Sequence, residues 1–196
     1  MPRKNGLDKN AVVQAALRLL ESEGPENLTL NRLATALNIQ SPSLYNHIDG
    51  MPGLLRELAV INARGLAESM AEAAIGRSGA DGLLRIADSY RAYIKAHPNL
   101  YRAGLRSSGT QPQVDPELQA AEEHAVRVVL AVLASLGLSG PDALHAARGL
   151  RSAVHGFTTL EIAGGFGIPL DLDESFARLM RSLIAGFERD RSLPAA

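Results

Sequence analysis

The side chains best suited to chemistry in this chain stand close together on one short helical pattern, residues 42–48. At helical spacing Leu44 and Ile48 turn inward, which leaves the polar side chains between them on the outer face. Those side chains are Ser43, Tyr45, Asn46 and His47. Hydroxyls, an amide and an imidazole on an exposed helix face are suited to contact base edges and phosphates. The pattern therefore predicts a nucleic-acid contact surface.

A second helical pattern directly precedes this one and would position it. Residues 30–37 place Leu33, Ala34 and Leu37 on one face, and residues 38–40 interrupt the periodicity. Ser41 is expected to be the N-cap of the second helix, with Pro42 as its first residue, where a missing N–H costs nothing. Two short helices around a three-residue turn are the layout of a DNA-reading helix-turn-helix.

The remainder of the chain also reads as helix, and no useful period-two run appears. The predicted fold is all-α, with a three-helix DNA-binding unit at 1–50 and a larger helical effector-binding and dimerisation domain at 51–196. About nine helices are expected, at residues 8–23, 30–37, 42–48, 52–75, 80–96, 99–106, 117–136, 141–162 and 174–189.

Composition narrows the function classes. The absence of cysteine excludes disulfides and thiolate metal sites and suits a reducing cytoplasm. No uncharged apolar run reaches the length of a membrane span, so no membrane partner is expected. The net charge is −1, and residues 1–50 carry five basic and five acidic residues. We expect modest non-specific DNA affinity, with the available positive charge supplied by Arg3, Lys4, Lys9 and Arg32.

Enzymatic motifs are weak. His145 and His155 are ten residues apart, and no His/Glu pair has the HExxH spacing of a metalloenzyme. The glycines at 164–167 follow a helical pattern, whereas a dinucleotide-binding loop follows a strand. We therefore predict no catalytic residue, no metal and no cofactor; a helical enzyme using His155 or His124 is the less favoured alternative.

The helix-turn-helix motif resembles that of the TetR family of bacterial transcriptional regulators. The matching residues are the pair Leu33-Ala34 and the run Pro42-Ser43-Leu44-Tyr45-Asn46-His47. The resemblance implies a repressor that a small-molecule effector releases from its double-stranded DNA operator. It also implies that Thr29 caps the second helix and touches phosphate, that Ser41, Ser43 and Asn46 face bases, and that Tyr45 and His47 contact phosphates. Family members commonly carry a lysine at the start of the fourth helix, where this chain has Asp49-Gly50-Met51-Pro52.

The C-terminal half is similar to a branch of this family marked by Trp-His-Gly. The corresponding residues here are Val154-His155-Gly156-Phe157, with valine where the tryptophan would be. In the family the last two helices pair with their copies in a second subunit, which implies a homodimer. The interface residues so predicted are Ala146, Leu150, Ala153, Phe176, Leu179, Met180, Leu183 and Phe187.

The sequence leaves several assignments open. The apolar stripe of the last helix could close the chain's own core, although its width favours a shared interface. His155 could serve a ligand pocket or be a satisfied core histidine. The residues on helices that surround the effector in relatives are Tyr90, Tyr93, Tyr101, His124, His155 and Phe157. A small-molecule-binding helical protein with weak or lapsed DNA binding is the alternative function.

Overall fold

The computed structural model of the chain describes residues 7–107 and 115–190. Arg3 and Lys4, two of the predicted DNA-facing cations, lie outside these residues. Within the described ranges all regular structure is helical, which confirms the predicted all-α fold. The helices are α1 (Lys9–Glu23), α2 (Leu30–Ala36), α3 (Ser41–Leu44), α4 (Gly50–Ala74), α5 (Gly79–Ala96), α6 (Pro98–Ser107), α7 (Pro116–Ser135), α8 (Gly140–Ile162) and α9 (Leu172–Asp190).

Local signals set both ends of α1. The Asp8 carboxylate accepts a hydrogen bond from the backbone N–H of Ala11 at 2.7 Å, as the cap of α1 should. Gly24 ends α1 with a φ of +83°, a conformation that only glycine adopts without strain. The predicted helices 8–23 and 141–162 agree with α1 and α8 to within a residue.

The chain forms two compact units: Met1–Ala63 with His97–Gln119, and Arg64–Ala96 with Ala120–Ala196. These units are divided differently from the predicted domains, because α6 and the start of α7 join the first unit. The core of that unit is built mainly from α1, α2 and the first half of α4. Its fully buried side chains include Val12, Ala16, Leu20, Leu33, Leu44, Leu54 and Leu58. The assignment of DNA binding to 1–50 and of effector binding to 51–196 stays a prediction.

In the second unit α5, α8 and α9 pack against one another. The apolar stripe of α9 faces this packing, with Phe176 1% exposed and Met180 1% exposed. Ala146 and Leu150 on α8 and Phe187 on α9 are buried in the same way. The prediction that these five residues form a dimer interface therefore needs correction. They have almost no surface to offer a second subunit, and they fill the chain's own core.

A charged cluster in the second unit has a buried ion pair, Arg91 with Glu161, and an exposed member, Asp173. The Arg91 guanidinium on α5 donates two hydrogen bonds of 2.8 Å to the Glu161 carboxylate, and its third nitrogen lies 2.8 Å from Asp173. The same guanidinium lies 4.8 Å from the centre of the Phe176 ring and 5.6 Å from that of Phe157. A buried charge needs such a full set of partners, so this cluster ties α5, α8 and the start of α9 together.

No single helix within the described ranges is long and apolar enough to cross a membrane. Helices α7 and α8 pass that test only as a pair, by length and composition, and the chain bends by 116° between them.

Candidate nucleic-acid interface

Helices α2 and α3 pack on each other around the short turn that the sequence predicts. The Thr29 hydroxyl accepts a hydrogen bond from the backbone N–H of Arg32 at 3.2 Å, which confirms Thr29 as the cap of α2. Within the turn Asn38 has a φ of +53°. Asparagine is among the few residues other than glycine that tolerate this conformation. It reverses the chain so that α3 can pack back on α2.

Helix α3 is shorter than predicted and begins differently. The residue that flanks its start is Gln40, and Ser41 is already helical. The prediction of Ser41 as the N-cap was wrong, because its hydroxyl is bonded instead to the Asn31 side chain at 2.8 Å. Beyond Leu44 the chain continues as tight turns of three-residue spacing, such as the bond from the His47 N–H to the Leu44 carbonyl. The polar residues of 41–48 therefore lie on a single helical turn and on the tighter turns that follow it.

The predicted contact residues differ in their exposure. Tyr45 is 62% exposed, and Asn46 is exposed as well. Ser43 and His47 are only half-buried, while Leu44 (0%) and Ile48 (5%) point inward as expected. The reading turn, which we define as residues 41–48, therefore holds its apolar side chains in the core and offers Tyr45 and Asn46 most openly.

The one cation on α2 is engaged within the chain. Arg32 forms an ion pair with Glu23 and donates a hydrogen bond of 3.1 Å to the Asn27 side chain. Its side chain is 50% exposed, so the pair lies in solvent and contributes little to stability. A phosphate contact by Arg32, as predicted from the sequence, requires that it leave Glu23.

A recess of about 330 Å³ opens beside the reading turn. Its walls come from the start of α1, the reading turn and the first half of α4. The lining residues are Lys9, Tyr45, Asn46, His47, Ile48, Asp49, Gly53, Arg56 and Glu57. Lys9 belongs to the first turn of α1, and its ammonium lies 2.7 Å from the Glu57 carboxylate.

Arg56 is a residue that the sequence analysis missed. Its guanidinium pairs with three carboxylates, those of Asp115, Glu57 and Glu117. Its hydrogen bonds lower the pKa of the Asp115 carboxyl far below the ordinary value. Burial raises the pKa of Glu57, but the bonds from Lys9 and Arg56 outweigh that effect and the net shift is downward. Asp115 is distant in sequence, so no local pattern could have revealed the cluster.

The residues predicted for an effector pocket are not all brought together. Tyr90 (6% exposed), Tyr93, His155 and Phe157 lie in the second compact unit, whereas Tyr101 belongs to the first. His124 is exposed on α7. Phe157 packs against Phe166 and Phe176 at ring distances of 4.8 and 5.2 Å.

His155 is half-buried within that second unit. Burial, together with the charge of Arg151, lowers the pKa of its imidazole. The imidazole is therefore held more firmly in its neutral form than a free histidine would be.

Helices α1, α2 and α3 with the exposed polar residues of the reading turn have the architecture of a helix-turn-helix DNA-binding protein. Residues 12–58 match the family model of bacterial regulatory proteins of the TetR family, and residues 83–183 match the tetracycline repressor-like C-terminal domain. The chain belongs to the TetR family, whose members bind DNA and respond to ligands.

Related proteins are similar in sequence to this one along nearly its whole length. An HTH-type transcriptional regulator of Mycobacterium tuberculosis is 38% identical over 93% of this chain and 83% of its own length. One from Bacillus subtilis is 32% identical over 95% of both chains. Among solved structures, a TetR variant from Acinetobacter baumannii in complex with minocycline superposes with a TM-score of 0.71. It is 30% identical and covers 95% of this chain and 99% of its own.

Proposed function

We propose that this protein is a cytoplasmic, homodimeric repressor that a small-molecule effector releases from its operator. The observation that carries the proposal is the reading turn, where exposed Tyr45 and Asn46 stand on a capped helix-turn-helix unit. The resemblance of residues 83–183 to a repressor's C-terminal domain supports repression of transcription over activation. Effector binding weakens operator binding only if the effector favours one of two conformations over the other.

Within this proposal Asn46 reads a base, and Tyr45 and His47 contact backbone phosphates. An asparagine amide can pair with adenine through two hydrogen bonds, which discriminate against other bases by about 1–3 kcal/mol. Ser41 and Ser43 supply hydroxyls beside it, although the bond from Ser41 to Asn31 must open before Ser41 can contact a base. Thr29 and Arg32 add contacts at the start of α2.

We expect Asn46→Ala to change base preference at one position of the operator. Tyr45→Phe and His47→Ala should weaken binding by about 1 kcal/mol each on every sequence, because a phosphate contact carries no sequence information. The measurement is binding to the DNA upstream of the protein's own gene and to single-base variants of that DNA. Gln14→Ala, which removes an exposed amide on α1, is the control and should bind as wild type does.

If all three variants of the reading turn bind that DNA as tightly as wild type, the turn is not the DNA contact surface. If the unaltered protein leaves no footprint on the DNA at all, the alternative of lapsed DNA binding is favoured instead.

A homodimer through α8 and α9 is consistent with the surface that these helices leave uncovered. Leu179 on α9 is 39% exposed, and Leu144 on α8 is 47% exposed. Side chains added at Gly156 or Gly186 would meet nothing within 4 Å in the single chain. A second subunit could therefore pack on small residues and on isolated leucines of α8 and α9. Most of the apolar stripe of α9 is already covered within the chain. Of the predicted interface residues, Leu179, Ala153 and Leu183 keep accessible surface.

Leu179→Arg is expected to shift the protein from dimer to monomer, because a guanidinium in a packed interface would be buried without a partner. Sedimentation equilibrium should give twice the chain mass of 20.8 kDa for the unaltered protein and a value near 20.8 kDa for the variant. Ile75→Arg, at an apolar side chain that is 76% exposed beyond the end of α4, should remain dimeric. A dimeric Leu179→Arg protein would place the interface elsewhere.

For the effector we propose a site among α5 and α8 in the second unit, with Tyr93 and His155 as its hydrogen-bonding residues. Both are half-buried, and the lowered pKa of His155 keeps its imidazole neutral and able to both donate and accept. Phe157 offers an aromatic surface in the same unit, where Tyr90 is buried.

A further inference from the structure

The recess beside the reading turn holds both of the side chains that we assign to phosphate contacts. Tyr45 and His47 line it, and so do Lys9 and Glu57. A phosphate held by Tyr45 and His47 would therefore come close to Lys9, although in the DNA-free chain the Lys9 ammonium lies 2.7 Å from the Glu57 carboxylate.

Lys9 is the cation of the recess that can change partners. Its side chain is 56% exposed, whereas the Glu57 side chain is 20% exposed. Opening this pair costs little because the ammonium is already largely in solvent and Glu57 keeps its bond from Arg56. The other cation, Arg56, is only 22% exposed and is held by three carboxylates. A DNA phosphodiester carries a single negative charge, as a carboxylate does, so it can take the place of the Glu57 carboxylate beside Lys9.

Glu57 does not become an isolated charge when Lys9 leaves it. Its carboxylate oxygen also accepts a hydrogen bond of 2.7 Å from the Arg56 guanidinium. The exchange therefore replaces the ion pair between Lys9 and Glu57 with one between Lys9 and a DNA phosphate. The ion pairs of Arg56 stay in place.

We propose that Glu57 competes with the DNA backbone for Lys9. In the DNA-free chain the Glu57 carboxylate occupies the ammonium, and on binding a phosphate entering the recess beside Tyr45 and His47 displaces it. The inference rests on the proposed function of the reading turn. Its consequence is that the protein binds DNA more weakly than its cations alone would allow, because part of the binding free energy is spent on separating Lys9 from Glu57.

The test is a double-mutant cycle on the full-length protein with a mixed-sequence 30-base-pair duplex as probe. Glu57→Gln should raise affinity by about two- to fivefold, the range expected for loss of one exposed ion pair. In the Lys9→Ala background the same change should have no effect. With Glu57→Gln in place, Lys9→Ala should reduce the dependence of log affinity on log salt by about 0.9, the value for one phosphate contact.

Asp49→Asn is the matched control, because it removes a negative charge from the same recess. Its effect on affinity should be the same with and without Lys9. The proposal is overturned if Glu57→Gln leaves affinity unchanged. It is equally overturned if the gain persists in Lys9→Ala, since the carboxylate would then act on DNA only through its own charge.

Failure of the proposed function gives a different result. Should Tyr45→Phe and His47→Ala leave operator binding intact while the Lys9-dependent gain is observed, the competition stands and the assignment of those two residues falls.

Discussion

Arg91→Ala is expected to lower the free energy of unfolding by about 3–5 kcal/mol, the range for removing one partner of a buried ion pair. Arg91 is 9% exposed, and the Glu161 side chain that it binds is also 9% exposed. Without the guanidinium, Glu161 keeps the ion pair with Lys95, whose ammonium lies 2.6 Å away. Loss of the cation stacked on Phe176 adds to the cost. Urea unfolding followed by circular dichroism measures the change.

Arg85→Ala supplies the matched control on the same helix. Arg85 is 54% exposed, and its carboxylate partners lie 3.7 and 3.8 Å away in solvent. Its loss should change the free energy of unfolding by less than about 1 kcal/mol. If the two variants are equally stable, the buried cluster does not hold the second unit together.

The pH dependence of the Arg91→Ala effect follows from Glu161. Hydrogen bonds from Arg91 lower the pKa of Glu161, burial opposes this, and Lys95 lowers it further. A carboxyl whose native pKa is depressed contributes its stability above the unfolded pKa, near 4.5, and loses it as pH falls toward the native value. The difference in stability between wild type and Arg91→Ala should therefore be largest above pH 4.5 and shrink below it.

Leu44→Ala is expected to cost about 2.7–5.0 kcal/mol of stability, the range for emptying a fully buried leucine site. Leu44 is 0% exposed and is the buried residue of the four-residue α3. A helix of one turn has little hydrogen bonding of its own, so burial of Leu44, together with Ile48 at the end of the turn, holds the reading turn on the core. Operator affinity should also fall, by at most the same free energy, because DNA binds only the fraction of the protein whose reading turn is docked on the core.

Leu44→Met is the volume-conserving control and should cost less than about 1.5 kcal/mol while keeping operator binding. A loss below 1 kcal/mol for Leu44→Ala, measured by urea unfolding, would show that the reading turn is held by other contacts.

The helix order and the polar face were predictable from sequence because both depend on local patterns. Periodicity predicted about nine helices, and the range predicted for the first, 8–23, agrees with α1, which Asp8 and Gly24 cap. A predicted helix boundary was wrong where a contact between helices overrode the local preference of the sequence. Ser41 has the usual chemistry of an N-cap, yet its hydroxyl bonds to Asn31 on the neighbouring helix, and α3 begins one residue earlier.

Helix α9 shows more strongly that a local pattern does not predict tertiary contacts. An apolar stripe predicts that a face is buried, but it does not indicate which surface covers it. Phe176, Met180 and Phe187 were predicted to meet a second subunit, and the structure buries them against α5 and α8 of the same chain. The partner of a stripe depends on how the helices pack in three dimensions.

The sequence by itself determined the class of this protein, because the helix-turn-helix motif lies within twenty-one consecutive residues, 28–48. Only the tertiary structure decided how charge is distributed around that motif. A count of charges gave zero for residues 1–50, but folding brings Glu57 to Lys9 and Asp115 to Arg56 across gaps of tens of residues. Electrostatic energy depends on distance and solvent exposure, and neither quantity can be read from a linear order of residues.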